Sequence, residues 1–295
     1  MGNVAVIDLG TNTFHLLIVR LHTQGKFDVI YRERCYIYLG GQGMSSIGYE
    51  SYQKGIETLQ YFTTLLKKYN VTDVKAIGTA ALRSAANGKQ FARDVLNQTG
   101  IEISIISGDQ EALYIANGIS NIYQHQKAHL IMDIGGGSVE FIIGNTKIDW
   151  HTSIDIGISI LYQKFMTSDP ISSEALNAML DYLDDQLLPL ADAINRYPSY
   201  DLIGAAGTFE VLSSHQNGES NLPIQEIDLD KIKDLYHQVI HLDLNQRKSI
   251  NGIPDHRGKY LVVAMALIIK TIDLVNLNTI YVSSYSLKEG VLLDF

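Results

Sequence analysis

Two stretches of the chain repeat one pattern of chemistry-bearing residues. VAVIDLGTNTFHLLIV, Val4 to Val19, and HLIMDIGGGSVEFIIG, His129 to Gly144, each run apolar to an aspartate, break at glycine and resume apolar after a hydroxyl. Laid together, Asp8 falls on Asp133, Leu9 on Ile134, Gly10 on Gly135 and Thr13 on Ser138. Glycine weakens a strand interior, so its place between two buried-strand patterns signals a tight turn or a ligand brought against the backbone. A plain hairpin would account for either stretch alone; the repetition favours a ligand. In such a bend successive N–H groups converge into an anion-binding nest, and a Thr or Ser hydroxyl adds one more donor. An aspartate at the lip suits Mg²⁺, held directly or through water. Both copies lead into strand-like runs, FHLLIV and VEFII, whereas a Walker A loop or a dinucleotide fingerprint opens a helix. Two such hairpins facing each other would hold one phosphate group from both sides.

The bulk composition narrows the setting. At 295 residues the chain is long enough for two domains, and 46% apolar with 19% charged residues is the balance of a globular protein. The longest apolar run, Tyr260 to Ile269, is shorter than the roughly 20 residues that span a bilayer. The opening residues read as a buried strand rather than a signal or transit peptide. Cys35 is the only cysteine, which excludes an internal disulfide and suits a reducing cytosol, so a cytoplasmic location with no membrane partner is expected. A net charge of −9 argues against non-specific nucleic-acid binding. It also opposes any polyanionic substrate, unless a metal ion and oriented dipoles supply local positive potential.

Three further stretches accompany the paired turns: AIGTAALRSAANG (Ala76 to Gly88), IISGDQEALYIANGI (Ile105 to Ile119) and IGAAGTFEVL (Ile203 to Leu212). Each has a plainer explanation. Arg83 could cap a helix, Glu111 is a common acid for a helix first turn, and Thr208 could cap a helix entry. Taken in order with the two turns, they resemble the exopolyphosphatase and guanosine pentaphosphate phosphatase (Ppx/GppA) family. The turns themselves resemble phosphate 1 and phosphate 2 of the wider actin, Hsp70 and sugar-kinase superfamily. The resemblance covers nearly all of the chain and matches the family's short two-domain form, without the added helical domain of its long forms.

That resemblance implies an α/β fold of two actin-like (ribonuclease H-like) domains facing an interdomain cleft, here residues 1–124 and 125–295, divided at the polar QHQK of Gln124 to Lys127. It implies a phosphoanhydride hydrolase releasing orthophosphate from the end of polyphosphate, or the 5′ γ-phosphate of guanosine pentaphosphate. Glu111 would orient or deprotonate the attacking water and Arg83 would stabilise charge on the transferring group. Gly10, Thr11, Asn12 and Thr13, with Gly135, Gly136, Gly137 and Ser138, would bind the phosphate, chiefly through the amides of Gly10, Asn12 and the three glycines. Gly207 and Thr208 would line the cleft. Mg²⁺ or another divalent cation would sit near Asp8, Asp133 and Glu140. Members of the family often dimerise, so a homodimer is a candidate state. A kinase of the same superfamily and a non-catalytic phosphate or nucleotide sensor are the competing classes.

The chain also departs from the family pattern. Tyr38 stands where an arginine is usual, Arg257-Gly258-Lys259 lacks an aspartate, and Lys288-Glu289-Gly290 replaces an Arg-Glu-Gly. These bear on substrate grip and chain-length preference. No basic run that could track a long polymer is evident, which favours short polyphosphate or a nucleotide tail.

The elements that must position these residues alternate between strand and helix, an α/β pattern. Helices are expected over Tyr49 to Tyr69, Phe91 to Asn97, Glu111 to Tyr123, Ser172 to Ile194 and Val262 to Leu274. Strands are expected over Val74 to Gly78 and Ile101 to Ile106. His125 with His129, and His237 with His241, are spaced four apart, but neither pair carries the Glu of a zinc-protease motif. The 17 tyrosines are scattered, as core and rim residues are, rather than forming a base-stacking platform.

Overall fold

Eleven strands among the described residues fall into two sheets built to the same plan. The computed structural model describes every residue except 1, 23–25, 124–127, 146, 199–200, 219, 221, 276 and 278. Strands β1 (Asn3–Leu9), β2 (Thr13–Leu21), β3 (Phe27–Tyr36), β4 (Val71–Gly78) and β5 (Ile103–Ile105) form one sheet in the order β3-β2-β1-β4-β5. Strands β6 (His129–Ile134), β7 (Val139–Gly144), β8 (Ile148–Ile154), β9 (Asp201–Ala205), β10 (Ile224–Ile227) and β11 (Thr279–Ser283) form the other, in the order β10-β11-β9-β6-β7-β8. In each sheet three strands run antiparallel as a meander, and the first of them then pairs in parallel with the fourth. This is the ribonuclease H-like order, used twice.

The central strands β1, β6 and β7 form where the sequence is apolar on both faces. The β1 segment is almost wholly buried, and β6 and β7 are buried at every position. Strands of this kind read as continuous Val/Ile/Leu runs because helices cover them. In the first unit Tyr49–Lys68 buries Ile56, Leu59, Phe62, Leu65 and Leu66, a stripe at helical spacing. These join Ile7, Phe14 and Phe91 in one core. In the second unit Leu261–Leu274 is buried nearly all round and packs into a core with Met132, Phe141, Leu202 and Phe209.

The chain divides into one unit of Met1–Gly118 with Leu287–Phe295, and another of Ile119–Ser286. The expected boundary, Gln124 to Lys127, lies outside the described residues, as does His125. Tyr123 belongs with the second unit because its ring packs on His129 and Tyr281. The last nine residues belong with the first unit because a Cβ on Gly290 would stand 1.8 Å from the Tyr114 carbonyl oxygen, and Asp294 accepts from the Tyr114 hydroxyl at 2.6 Å.

Most expected elements are present with shifted ends. Gly88–Thr99 begins three residues before the expected Phe91, and Gly108–Ser120 starts before Glu111 and stops before Tyr123. The expected single helix over Ser172 to Ile194 is two, Ser173–Gln186 and Leu188–Arg196, because Pro189 lacks the N–H that a continuous helix needs and instead sits in the second helix's first turn. Ser172 caps the first of them by accepting from the Ala175 amide. No helix among the described residues is long and apolar enough to cross a membrane.

Candidate functional site

The two repeated turns have the same hydrogen-bond closure. Leu9 pairs with Phe14 and Ile134 with Val139 across the two ladders. Between them, the Gly10 amide donates to the Thr13 carbonyl at 3.0 Å, and the Gly135 amide donates to the Ser138 carbonyl at 3.0 Å. These two amides, expected to bind phosphate, therefore close the turns instead.

The turns' carbonyls are held from behind. The Gly135, Gly136 and Gly137 carbonyls accept from Ile158 (3.1 Å), Ser159 (2.9 Å) and Gly157 (3.2 Å), the entry to helix Ile158–Phe165. In the first turn the Asn12 carbonyl accepts from Ile37 (2.9 Å) and Tyr38 (3.0 Å), and the Thr11 carbonyl from Gly40 (3.4 Å). Both supporting segments follow the third strand of their sheet. In a trans peptide the C=O and the next N–H point in opposite directions. The amides of Gly136, Gly137 and Ser138 thus point away from residues 157–159, and those of Asn12 and Thr13 away from residues 37–40. Each turn offers a cluster of amides, as an anion nest requires.

This backing depends on specific local sequence. A Cβ on Gly157 would lie 2.4 Å from the carbonyl carbon and oxygen of Gly136, so only glycine lets the two segments meet. In the first unit Tyr38 takes φ +60° to deliver its amide to Asn12, and its ring stacks on Tyr36 at 6.1 Å. Neither supporting segment was recognised from sequence. Gly157 after Asp155-Ile156 and before a helix was the available signal.

The residues flanking the turns differ between the copies. Asp133 stands opposite Glu140, and Asp8 stands opposite His15. Directly paired residues share a sheet face. Asp133 and Glu140 are both buried; the Ser286 hydroxyl donates to Asp133, and the Ser153 hydroxyl donates to Glu140 at 2.7 Å. They are the candidate metal-holding pair. Mg²⁺ uses one or two carboxylates and fills its remaining positions with water and phosphate oxygens, so two hard oxygen donors fit it. Asp8, expected as a third ligand, lies in the first unit with an imidazole opposite it. Among the described residues no group of three or more His, Cys, Asp or Glu is gathered at metal-binding spacing.

Arg83 and Glu111, 28 residues apart in sequence, form an ion pair at 3.1 Å. Arg83 lies on the short helix Ala80–Ser84 after β4 and also donates to the Ile106 carbonyl at 3.0 Å. Glu111 is 8% exposed in the first turn of Gly108–Ser120. That helix start is fixed reciprocally: the Ser107 hydroxyl accepts from the Gln110 amide, and the Gln110 side chain accepts from the Ser107 amide. A buried carboxylate is thereby held firmly against a guanidinium.

Gly207 and Thr208 open the helix Ala206–Asn217 after β9. The cap position is Ala205, with no side-chain cap bond, so Thr208 does not cap this helix. A Cβ on Gly207 would lie 2.0 Å from an Arg257 guanidinium nitrogen, which places that arginine's end against the turn. Lys259, two residues on, instead lies over the Tyr162 ring at 4.5 Å.

Comparison with known proteins agrees with this architecture. The Ppx/GppA phosphatase family model matches residues 18–295. A crystal structure of an exopolyphosphatase from Cytophaga hutchinsonii superposes with a TM-score of 0.93 and 35% identity, covering 99% of this chain and 96% of that one. A Ppx/GppA family member from Aquifex aeolicus shares the fold at a TM-score of 0.83 and 24% identity, over 99% and 97% of the two chains. Curated guanosine-5′-triphosphate,3′-diphosphate pyrophosphatases of Aliivibrio fischeri and Photobacterium profundum are each 26% identical, over 97% and 98% of this chain and 58% of their own length. The chain thus spans a little over half of those curated relatives. With two sheets of actin-like order and a family match over nearly its whole length, the chain belongs to the Ppx/GppA phosphatase family.

Proposed function

We propose that the chain hydrolyses a terminal phosphoanhydride bond and releases orthophosphate, with inorganic polyphosphate as substrate. The observation that carries this reading is the shared construction of the two turns, whose carbonyls are engaged from behind while their amides point the other way. Oriented amides act as fixed partial positive charges and need no reorganisation as charge develops on phosphate oxygens. On a protein of net charge −9 they supply local positive potential where the overall field does not.

In this reading the amides of Gly136, Gly137 and Ser138, and of Asn12 and Thr13, bind phosphate oxygens. Glu111 orients the attacking water and takes its proton, with Arg83 fixing the carboxylate and stabilising charge on the transferring group. Asp133 and Glu140 would hold Mg²⁺, which when bound neutralises phosphate oxygens and polarises the phosphoryl group. Phosphoryl transfer needs positioning and field more than covalent chemistry, so one base, one arginine and the two turns suffice.

Guanosine pentaphosphate is the second reading. It is favoured by the names of the curated relatives and by the lack of a basic run to track a long polymer. The exopolyphosphatase of C. hutchinsonii, similar over nearly its full length, favours polyphosphate. A phosphate-release assay on polyphosphates of defined length, guanosine pentaphosphate and ATP separates them. Release from polyphosphate in preference to the nucleotide is expected. Preferential release from guanosine pentaphosphate would install the second reading. ADP formed together with a phosphorylated acceptor would mark a kinase, and binding without release at saturating Mg²⁺ a sensor.

A further inference from the structure

The first turn carries a device that the second lacks. Thr13 Oγ1 and His15 Nε2 are 2.9 Å apart. Both side chains lie on one face of β2, two residues apart, and the same face carries Asp8 opposite His15 on β1 and Arg34 opposite it on β3. At the matching place in the second turn stands Glu140, whose carboxylate accepts from Ser153.

A threonine hydroxyl has one proton to give. If it donates that proton to a bare imidazole nitrogen, it meets an anion with lone pairs only. If Nε2 carries a proton and donates to Oγ1, the hydroxyl proton is left for the ligand. We infer that His15 is a positioning residue of the first turn: its Nε2–H donates to Thr13 Oγ1 and turns the Thr13 hydroxyl into a donor toward a bound phosphate oxygen. This rests on the phosphate-binding role proposed for the turn. Thr13, β-branched and stiff about χ1, keeps its Oγ1 in place beside His15. Glu140 cannot play this part, since an ionised carboxylate only accepts.

Two measurements test the inference. Long-range ¹H–¹⁵N correlation spectra of the full chain with labelled histidines read the protonation of His15 directly; a proton on Nε2 is expected, and a bare Nε2 overturns the inference whatever the enzyme's activity. The second is a double-mutant cycle on tripolyphosphate affinity, measured by calorimetry, with thermal midpoints followed in parallel. Thr13→Val and His15→Leu should each weaken binding about tenfold, the scale of one hydrogen bond to a charged group. The double variant should be no weaker than Thr13→Val alone, and His15→Gln, which keeps a side-chain N–H donor, should recover most of the loss. Additive losses, or His15→Leu binding as the parent does, would overturn the positioning role. A parent that binds tripolyphosphate but releases no phosphate from it defeats the hydrolase reading and leaves this cycle readable. A parent that does not bind it removes the anion, and with it the role of His15.

Discussion

Asp133 and Glu140 face one another across the β6–β7 ladder, and each accepts a hydrogen bond from a serine, Ser286 on one side and Ser153 on the other. Like charges directly opposite in a sheet repel, and both residues are buried. In the proposed reading, a bound cation would relieve that repulsion. Asp133→Asn should therefore raise the Mg²⁺ concentration for half-maximal phosphate release by at least about tenfold. The same variant in EDTA should melt no lower than the parent, because it removes repulsion. An unchanged Mg²⁺ titration would take the cation away from this pair.

The Arg83–Glu111 pair calls for a sharper substitution. Glu111→Gln keeps the shape and an acceptor for Arg83 but cannot take a proton from water. Phosphate release should fall by about 10²- to 10⁴-fold, the usual contribution of a general base. Tripolyphosphate affinity should stay within a few-fold. A variant that keeps more than a tenth of parental kcat would show that the base lies elsewhere.

Much of this was legible in the chain. The repeated Asp-x-Gly pattern between apolar runs identified both turns, because strand periodicity and glycine placement are local properties. Arg83 and Glu111 could be nominated only from a resemblance to a family pattern. Their contact joins segments that follow the paired strands β4 and β5, 28 residues apart, which no local pattern reports. The supports at residues 37–40 and 157–159 were missed for the same reason. Their amides matter because of where the third strand of each sheet ends, and that is a tertiary fact. The amides of Gly10 and Gly135 were misassigned because a sequence cannot say which N–H groups a turn consumes in closing itself.

Tyr114 provides a pH test of how the chain's last residues are secured. Its hydroxyl donates to Asp294 at 2.6 Å; that bond, and then burial, push its pKa up to about 12. A tyrosine whose folded pKa is raised stabilises the fold below its unfolded value of about 10, and that contribution is lost as pH rises toward the folded value. The thermal midpoint of the parent should thus fall more steeply between pH 10 and 12 than that of Tyr114→Phe. Parallel curves for the two proteins would show that the Asp294 bond does not persist in solution.

Gly157 allows the phosphate-nest geometry to be separated from general stability. Alanine there would put its Cβ 2.4 Å from the Gly136 carbonyl, a backbone atom that can yield only by displacing the turn. Overpacking of this kind costs about 1–3 kcal/mol. Gly100 is the matched control: it holds φ +76° at a helix end, and its added Cβ would meet nothing within 4 Å. Alanine at Gly100 should cost about 1–2 kcal/mol through left-handed backbone strain alone. The two variants should therefore lose comparable thermal stability. Only Gly157→Ala should lose affinity for tripolyphosphate, because only there would relief of the clash rotate the peptides whose amides are proposed to bind it. If both variants bind tripolyphosphate equally well, the amides of Gly136, Gly137 and Ser138 are not what holds it.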